Sequence, residues 1–128
     1  MKKEPRWLLL PAVQAMHEQA LAEFGGASGL RNRALLESAL ERPRNLWHDK
    51  HADLFVLAAA YTAGVVQSHP FVDGNKRTGF MCAFVFLNIN GCTLMASEAE
   101  VVVMTLGLAD RKVKESEYAQ WLRKNTKI

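Results

Sequence analysis

Two stretches of this chain leave little freedom in how it folds. Residues 53–68 read DLFVLAAAYTAGVVQS and residues 79–87 read GFMCAFVFL, and both are apolar on nearly every face. A helix that is apolar all round has to be enclosed by other segments. Two such helices, joined by a connector of about ten residues, therefore form the centre of a helical domain. The length of 128 residues and the hydrophobic fraction of 49% suffice for one core. A chain of this size forms a single domain, taken here as residues 1–128, and buries roughly two-thirds of its unfolded surface.

The flanking segments supply the shell. Val13, Met16, Ala20, Leu21 and Phe24 recur at helical spacing, and Gly25-Gly26 closes that helix. Leu30, Leu35, Leu36, Ala39 and Leu40 form a second stripe, which Pro43 is expected to end. The polar run RPRNLWHDKH then reads as a loop or short hairpin. Asp53 can cap the first central helix. After Asn90-Gly91, TLMA is a brief extended piece. Ser97 with Glu100 three residues on is a capping box, which favours helix over strand despite the β-branched run Val101 to Val103. A last helix carries Tyr118, Trp121 and Leu122 on one side. The fold class is all-α: a compact single-domain bundle of about six helices.

Several functions are disfavoured. A net charge of +3 helps an anionic ligand approach but is no dense basic footprint, so nucleic acid is an unlikely partner. Cys82 and Cys92 lie in apolar surroundings, with no CxxC or HxxxH pair for zinc. They read as buried thiols in a reducing compartment. Pro11 cuts short the apolar run that follows the basic start, so no secretory signal is expected. No stretch approaches the length of a membrane span. The expected location is the cytoplasm.

The connector between the central helices, His69-Pro70-Phe71-Val72-Asp73-Gly74-Asn75-Lys76-Arg77-Thr78, carries the chemistry. Pro70 disfavours helix at His69, and Asp73-Gly74-Asn75 is a turn signal. The next helix then begins near Asn75 with its first N–H groups facing the loop. Such an end offers unpaired donors and a partial positive charge, which suit phosphate. Lys76 and Arg77 oppose the helix dipole there, a local cost that a bound anion would offset. Asp73 is a hard oxygen ligand suited to Mg²⁺. His69 can take a proton from a hydroxyl. Gly74 allows close approach of backbone to an anion, and Asn75 can donate to a phosphate or hold the loop. Phe71 is a core anchor beneath the loop. Taken singly, these residues are more often a solvated cation pair, a satisfied structural histidine and a plain turn. Their conjunction within ten residues is what points to a site.

In this order the stretch resembles the signature loop of the Fic/Doc superfamily, HPFx[D/E]GNxR, and the lysine after the asparagine resembles the Doc (death-on-curing) branch. GGASGLRNRALLESALERPRN, DLFVLAAAYTAGVVQSHPF, FVFLNING and SEAEVVVM are similar to the same branch. The likeness spans about residues 10–125. It implies a Fic-like fold and transfer of part of a nucleotide to a protein hydroxyl. For the Doc branch it implies a toxin of a toxin–antitoxin module that moves the γ-phosphate of ATP, with Mg²⁺, to a Ser or Thr of a translation elongation factor such as elongation factor Tu, arresting growth. By the same likeness His69 is the general base, Asp73 holds Mg²⁺, Gly74, Asn75, Lys76 and Arg77 cradle phosphates, and Phe71 seats the loop.

The AMP-transferring pattern continues GNGRxxR. Here Lys76 replaces the second glycine and Phe80 the final arginine, which points from AMP transfer, the alternative, toward phosphate transfer. The family's hairpin flap, which aligns a target strand, is expected within residues 42–52. No [S/T]xxxE[G/N] inhibitory helix is present. Restraint is expected from a separate antitoxin whose disordered segment folds on binding. Two lesser readings are a helical ribonuclease using Arg42 and His48, and a phosphate- or nucleotide-binding module without catalysis.

Overall fold

The computed structural model describes residues 3–127. Six helices run in the order α1 (Leu10–Phe24), α2 (Arg33–Lys50), α3 (Leu54–Ser68), α4 (Asn75–Ile89), α5 (Glu98–Ala109) and α6 (Glu115–Lys124). Two short strands, β1 (Thr93–Leu94) and β2 (Thr126–Lys127), pair antiparallel and tie the end of the chain to the segment after α4. The class is all-α, as the patterning requires. Helix α3 is the axis and packs against α2, α4, α5 and α6. Its residues Leu57 to Ala60, Tyr61, Val65 and Val66 are fully enclosed, together with Cys82, Ala83, Phe86 and Leu87 of α4.

The expected caps form. Asp53 accepts the amides of Phe55 and Val56, both at 3.0 Å, and also receives the Arg123 guanidinium at 2.6 Å, which fastens α6 to the start of α3. Ser97 accepts the Glu100 amide at 3.2 Å and opens α5 as a helix. Trp121 then donates to Glu100 at 3.2 Å, joining α6 to α5. Both cysteines are free and buried, and enclosure pushes the Cys82 thiol up to about 12.

One expectation fails. Pro43 does not end α2, and residues 42–50 are helix rather than a loop or hairpin flap. The proline removes the N–H that would reach the Ala39 carbonyl. Burial outweighs that loss, because Leu36, Leu40, Pro43 and Trp47 continue one buried stripe along α2. Ala39 lies so close to Gly64 of α3 that a Cβ there would sit 3.0 Å from the Ala39 Cβ. Leu30 is likewise outside the helix, which starts after the Asn32 cap. Arg42 forms an ion pair with Glu115 at 2.8 Å.

The feature that places the site is the close contact of α3 and α4. At Gly79 a Cβ would lie 2.6 Å from a methyl of Val66, and Thr62 donates its hydroxyl to the Gly79 carbonyl at 2.8 Å. The end of α3 and the start of α4 are thereby pinned side by side, and the ten-residue loop has to bridge them.

Candidate active site

The loop begins where α3 ends. His69 caps that helix in the left-handed conformation, φ 54° and ψ 60°, with its N–H on the Val65 carbonyl at 3.1 Å. The segment between α1 and α2 then lies alongside. Arg31 and Asn32 donate their amides to the Pro70 carbonyl at 2.7 and 3.0 Å, and Val72 donates to Gly29 at 3.0 Å. Leu30 and Phe71 form an isolated antiparallel bridge. Phe71 is buried, as an anchor should be, and stacks on the His17 ring with centroids 3.8 Å apart.

Asn75 closes the turn. Its side-chain oxygen accepts the Phe71 amide at 3.0 Å while its side-chain nitrogen donates to the Phe71 carbonyl at 2.9 Å. Of the two uses open to it, holding the loop is the one its side chain makes here. Gly74 is the N-cap of α4 at φ 76°, a conformation that suits glycine, and brings no side-chain acceptor. Thr78 is the first residue of α4 whose amide finds an intrahelical carbonyl, that of Gly74 at 3.0 Å. The N–H groups of Asn75, Lys76 and Arg77 are thus left for an outside acceptor, the situation in which a helix start takes an anion.

The charged groups stand around this end. Lys76 and Arg77 are exposed, and the Arg77 guanidinium lies 4.0 Å over the Phe24 ring. Both line a groove of about 470 Å³ whose other walls include Phe24, Phe80, Phe84 and Leu106. His69 and Asp73 are exposed and lie outside those walls. The Asp73 carboxylate accepts the Ala27 amide at 3.2 Å and the Gly74 amide at 2.8 Å. These two amides, with lesser help from the charges of His17 and Arg77, hold its carboxyl below the usual range. It is therefore an ionised, solvent-facing carboxylate. Among the described residues no cluster of three or more His, Cys, Asp or Glu could cage a metal. One exposed carboxylate, each of whose oxygens accepts a single amide, fits Mg²⁺, which binds through one or two carboxylates, substrate phosphates and retained waters.

Two residues that sequence reasoning missed hold this loop. His17 is buried on α1, and its Nε2 meets the Asp73 carbonyl at 2.7 Å. That carbonyl can only accept, so Nε2 carries the proton. Arg31 places its Nε on the His69 carbonyl at 2.6 Å and its Nη2 on the Ser68 carbonyl at 2.8 Å. Arg31 lies in the GLRNRALLESAL stretch, but neither His17 nor Arg31 carries a local signal of the contact it makes. They lie 56 and 38 positions from their partners, and no spacing rule connects them.

A short helical domain with an uncapped helix start, preceded by a loop that carries an ionised carboxylate and a histidine, is the arrangement to compare with known families. The sequence profile of the Fic/DOC family matches residues 7–87, and the chain belongs to that family, in its Doc branch. It is 30% identical over 111 residues to the protein kinase doc of Escherichia phage P1, an alignment covering 86% of this chain and 87% of that protein. It is also 40% identical over 75 residues to the toxin Doc of Mycolicibacterium smegmatis (strain ATCC 700084 / mc(2)155), covering 57% of this chain and 58% of that one.

Proposed function

We propose that this chain is the toxin of a toxin–antitoxin module and acts as a protein phosphotransferase in the cytoplasm. In this reading the γ-phosphoryl group of ATP passes to a Ser or Thr hydroxyl of a protein target, an elongation factor of translation such as elongation factor Tu, and growth stops. The names of its relatives, a kinase and a toxin, support the class. The observation that carries the chemistry is the uncapped start of α4 beside Lys76 and Arg77. His69 takes the proton from the attacking hydroxyl as the new P–O bond forms. The bond to the bridging oxygen of ADP breaks, and the amides of Asn75, Lys76 and Arg77 meet the charge on the phosphate oxygens. Asp73 would hold Mg²⁺, which would neutralise phosphate charge when bound. Phe80 is turned to the apolar groove with Phe84, their centroids 6.3 Å apart. Position 80 itself carries no guanidinium to clamp a second phosphate, which favours phosphoryl over AMP transfer.

The test is intact mass of a candidate target after incubation with MgATP, alongside ATP labelled at the α or the γ position. The expected result is a gain of one phosphate and movement of the γ-label. Movement of the α-label would replace this reading with AMP transfer.

The partner implied is an antitoxin segment that folds on binding. The groove beside Lys76 and Arg77 exposes Phe24, Val102 and Leu106. An amphipathic helix with a carboxylate facing the two cations matches that surface. Co-expression of the neighbouring small gene should restore growth. Val102→Glu, at an exposed position, should remain toxic but no longer be rescued; rescue equal to wild type would place the antitoxin elsewhere.

A further inference from the structure

We propose that Arg31 is the positioning residue for His69, fixing the backbone from which the imidazole reaches the target hydroxyl. The inference rests on the reading of His69 as the proton acceptor. Its basis is the pair of carbonyls that one guanidinium grips. The Ser68 carbonyl belongs to the peptide plane before His69, and the His69 carbonyl to the plane after it. Arg31 holds the first through Nη2 at 2.8 Å and the second through Nε at 2.6 Å. The φ and ψ of a residue are the rotations that relate those two planes. A rigid planar fork bonded to both therefore sets both angles of His69 and leaves only its side-chain torsions free.

The angles it sets need such a hold. His69 sits at φ 54° and ψ 60°, where a side chain other than glycine is seldom found. The arm is anchored at its own root as well. The amides of Arg31 and Asn32 both bond the Pro70 carbonyl, so three successive carbonyls, of residues 68, 69 and 70, point to residues 31 and 32. The guanidinium also lies at the C-terminal end of α3, where a cation is favoured by the helix dipole. Nε and Nη2 of Arg31 are both engaged by these carbonyls, and Arg31 does not line the groove beside Lys76 and Arg77, so its part is to hold the loop.

The test separates positioning from binding and from folding. In Arg31→Ala, kcat for the labelled transfer should fall by about a hundredfold, the cost of misplacing a reacting group by about an ångström. The KM for MgATP should stay within about threefold, since the same principle confines the loss to orientation. The thermal transition should remain cooperative. Methylguanidinium added to the medium should restore part of the lost kcat in Arg31→Ala and none in His69→Asn. Arg31→Lys keeps the charge without the planar fork and should remain well below wild type; it carries the test if the alanine variant fails to fold. A folded Arg31→Ala or Arg31→Lys with wild-type kcat would overturn the inference, as would a loss confined to KM. Failure of the underlying reading looks different: His69→Asn would then itself stay active.

Discussion

His69→Ala is expected to lower phosphoryl transfer by about 10²- to 10⁴-fold, the span that a positioned general base contributes. Toxicity should disappear with it. The fold should survive, because the side chain of His69 is exposed and the core residues around α3 do not depend on it. Its main-chain bonds to Val65 and Arg31 use atoms that alanine retains. The left-handed backbone of residue 69 is the one complication, since alanine pays roughly 1–2 kcal/mol there. His69→Asn answers it, because asparagine tolerates that conformation and carries no base. Both variants should unfold cooperatively, the alanine variant a few degrees lower, and both should be inactive in the γ-label assay. A toxic, active alanine variant would end the assignment of His69 as the proton acceptor and leave the phosphate site to a binding role.

The second large effect should come from Asp73→Asn. At a fixed Mg²⁺ concentration activity should fall by about 10²- to 10³-fold, the scale of losing several kcal/mol of metal charge stabilisation. Asparagine keeps an oxygen for the Gly74 amide but loses the charge that a hard cation needs. The loop should accordingly stay folded, with Asn75 still closing it onto Phe71. Raising Mg²⁺ should recover part of the activity, whereas it should not recover His69→Ala. Unchanged Mg²⁺ dependence in Asp73→Asn would remove the metal assignment. The pH behaviour has a definite sign. Because the amides of Ala27 and Gly74 depress the carboxyl of Asp73, their hold on it is complete above the ordinary carboxylate value. It is lost only as the pH falls through the lower folded value.

How much of this was legible in the residues depends on how local the signal is. The two central helices, the Asp53 and Ser97 caps and the start of α4 at Asn75 are local patterns, and each forms where the pattern puts it. The course of α2 past Pro43 went unread because a proline rule was weighed without its neighbours. The stripe that decides the matter, Leu36, Leu40, Pro43 and Trp47, was already present in the chain. Its loss takes the proposed flap with it, since residues 42–50 offer no strand edge. The pairing of β1 with β2 rests on two residues each and leaves no periodic trace. In the site, His69, Phe71, Asp73, Gly74, Asn75, Lys76 and Arg77 were named from one stretch of consecutive residues; the last three open α4, and the groove that Lys76 and Arg77 line does not include His69 or Asp73. Asn75 could be assigned to the loop only when its two bonds to Phe71 were visible. His17 and Arg31 are partners across chain distance, and no one-dimensional rule reaches them.

The strip between α1 and α2 has a wider consequence. Residues 27–32 supply the amides, carbonyl and guanidinium that hold Ser68, His69, Pro70, Val72 and Asp73. The pinning of α3 to α4 at Gly79 does not involve them. Loosening that strip would slacken the loop, while the α3–α4 contact at Gly79 stays in place. On the proposed reading, activity could then be lost from the outer shell without altering Lys76 or Arg77 and without touching the α3–α4 contact.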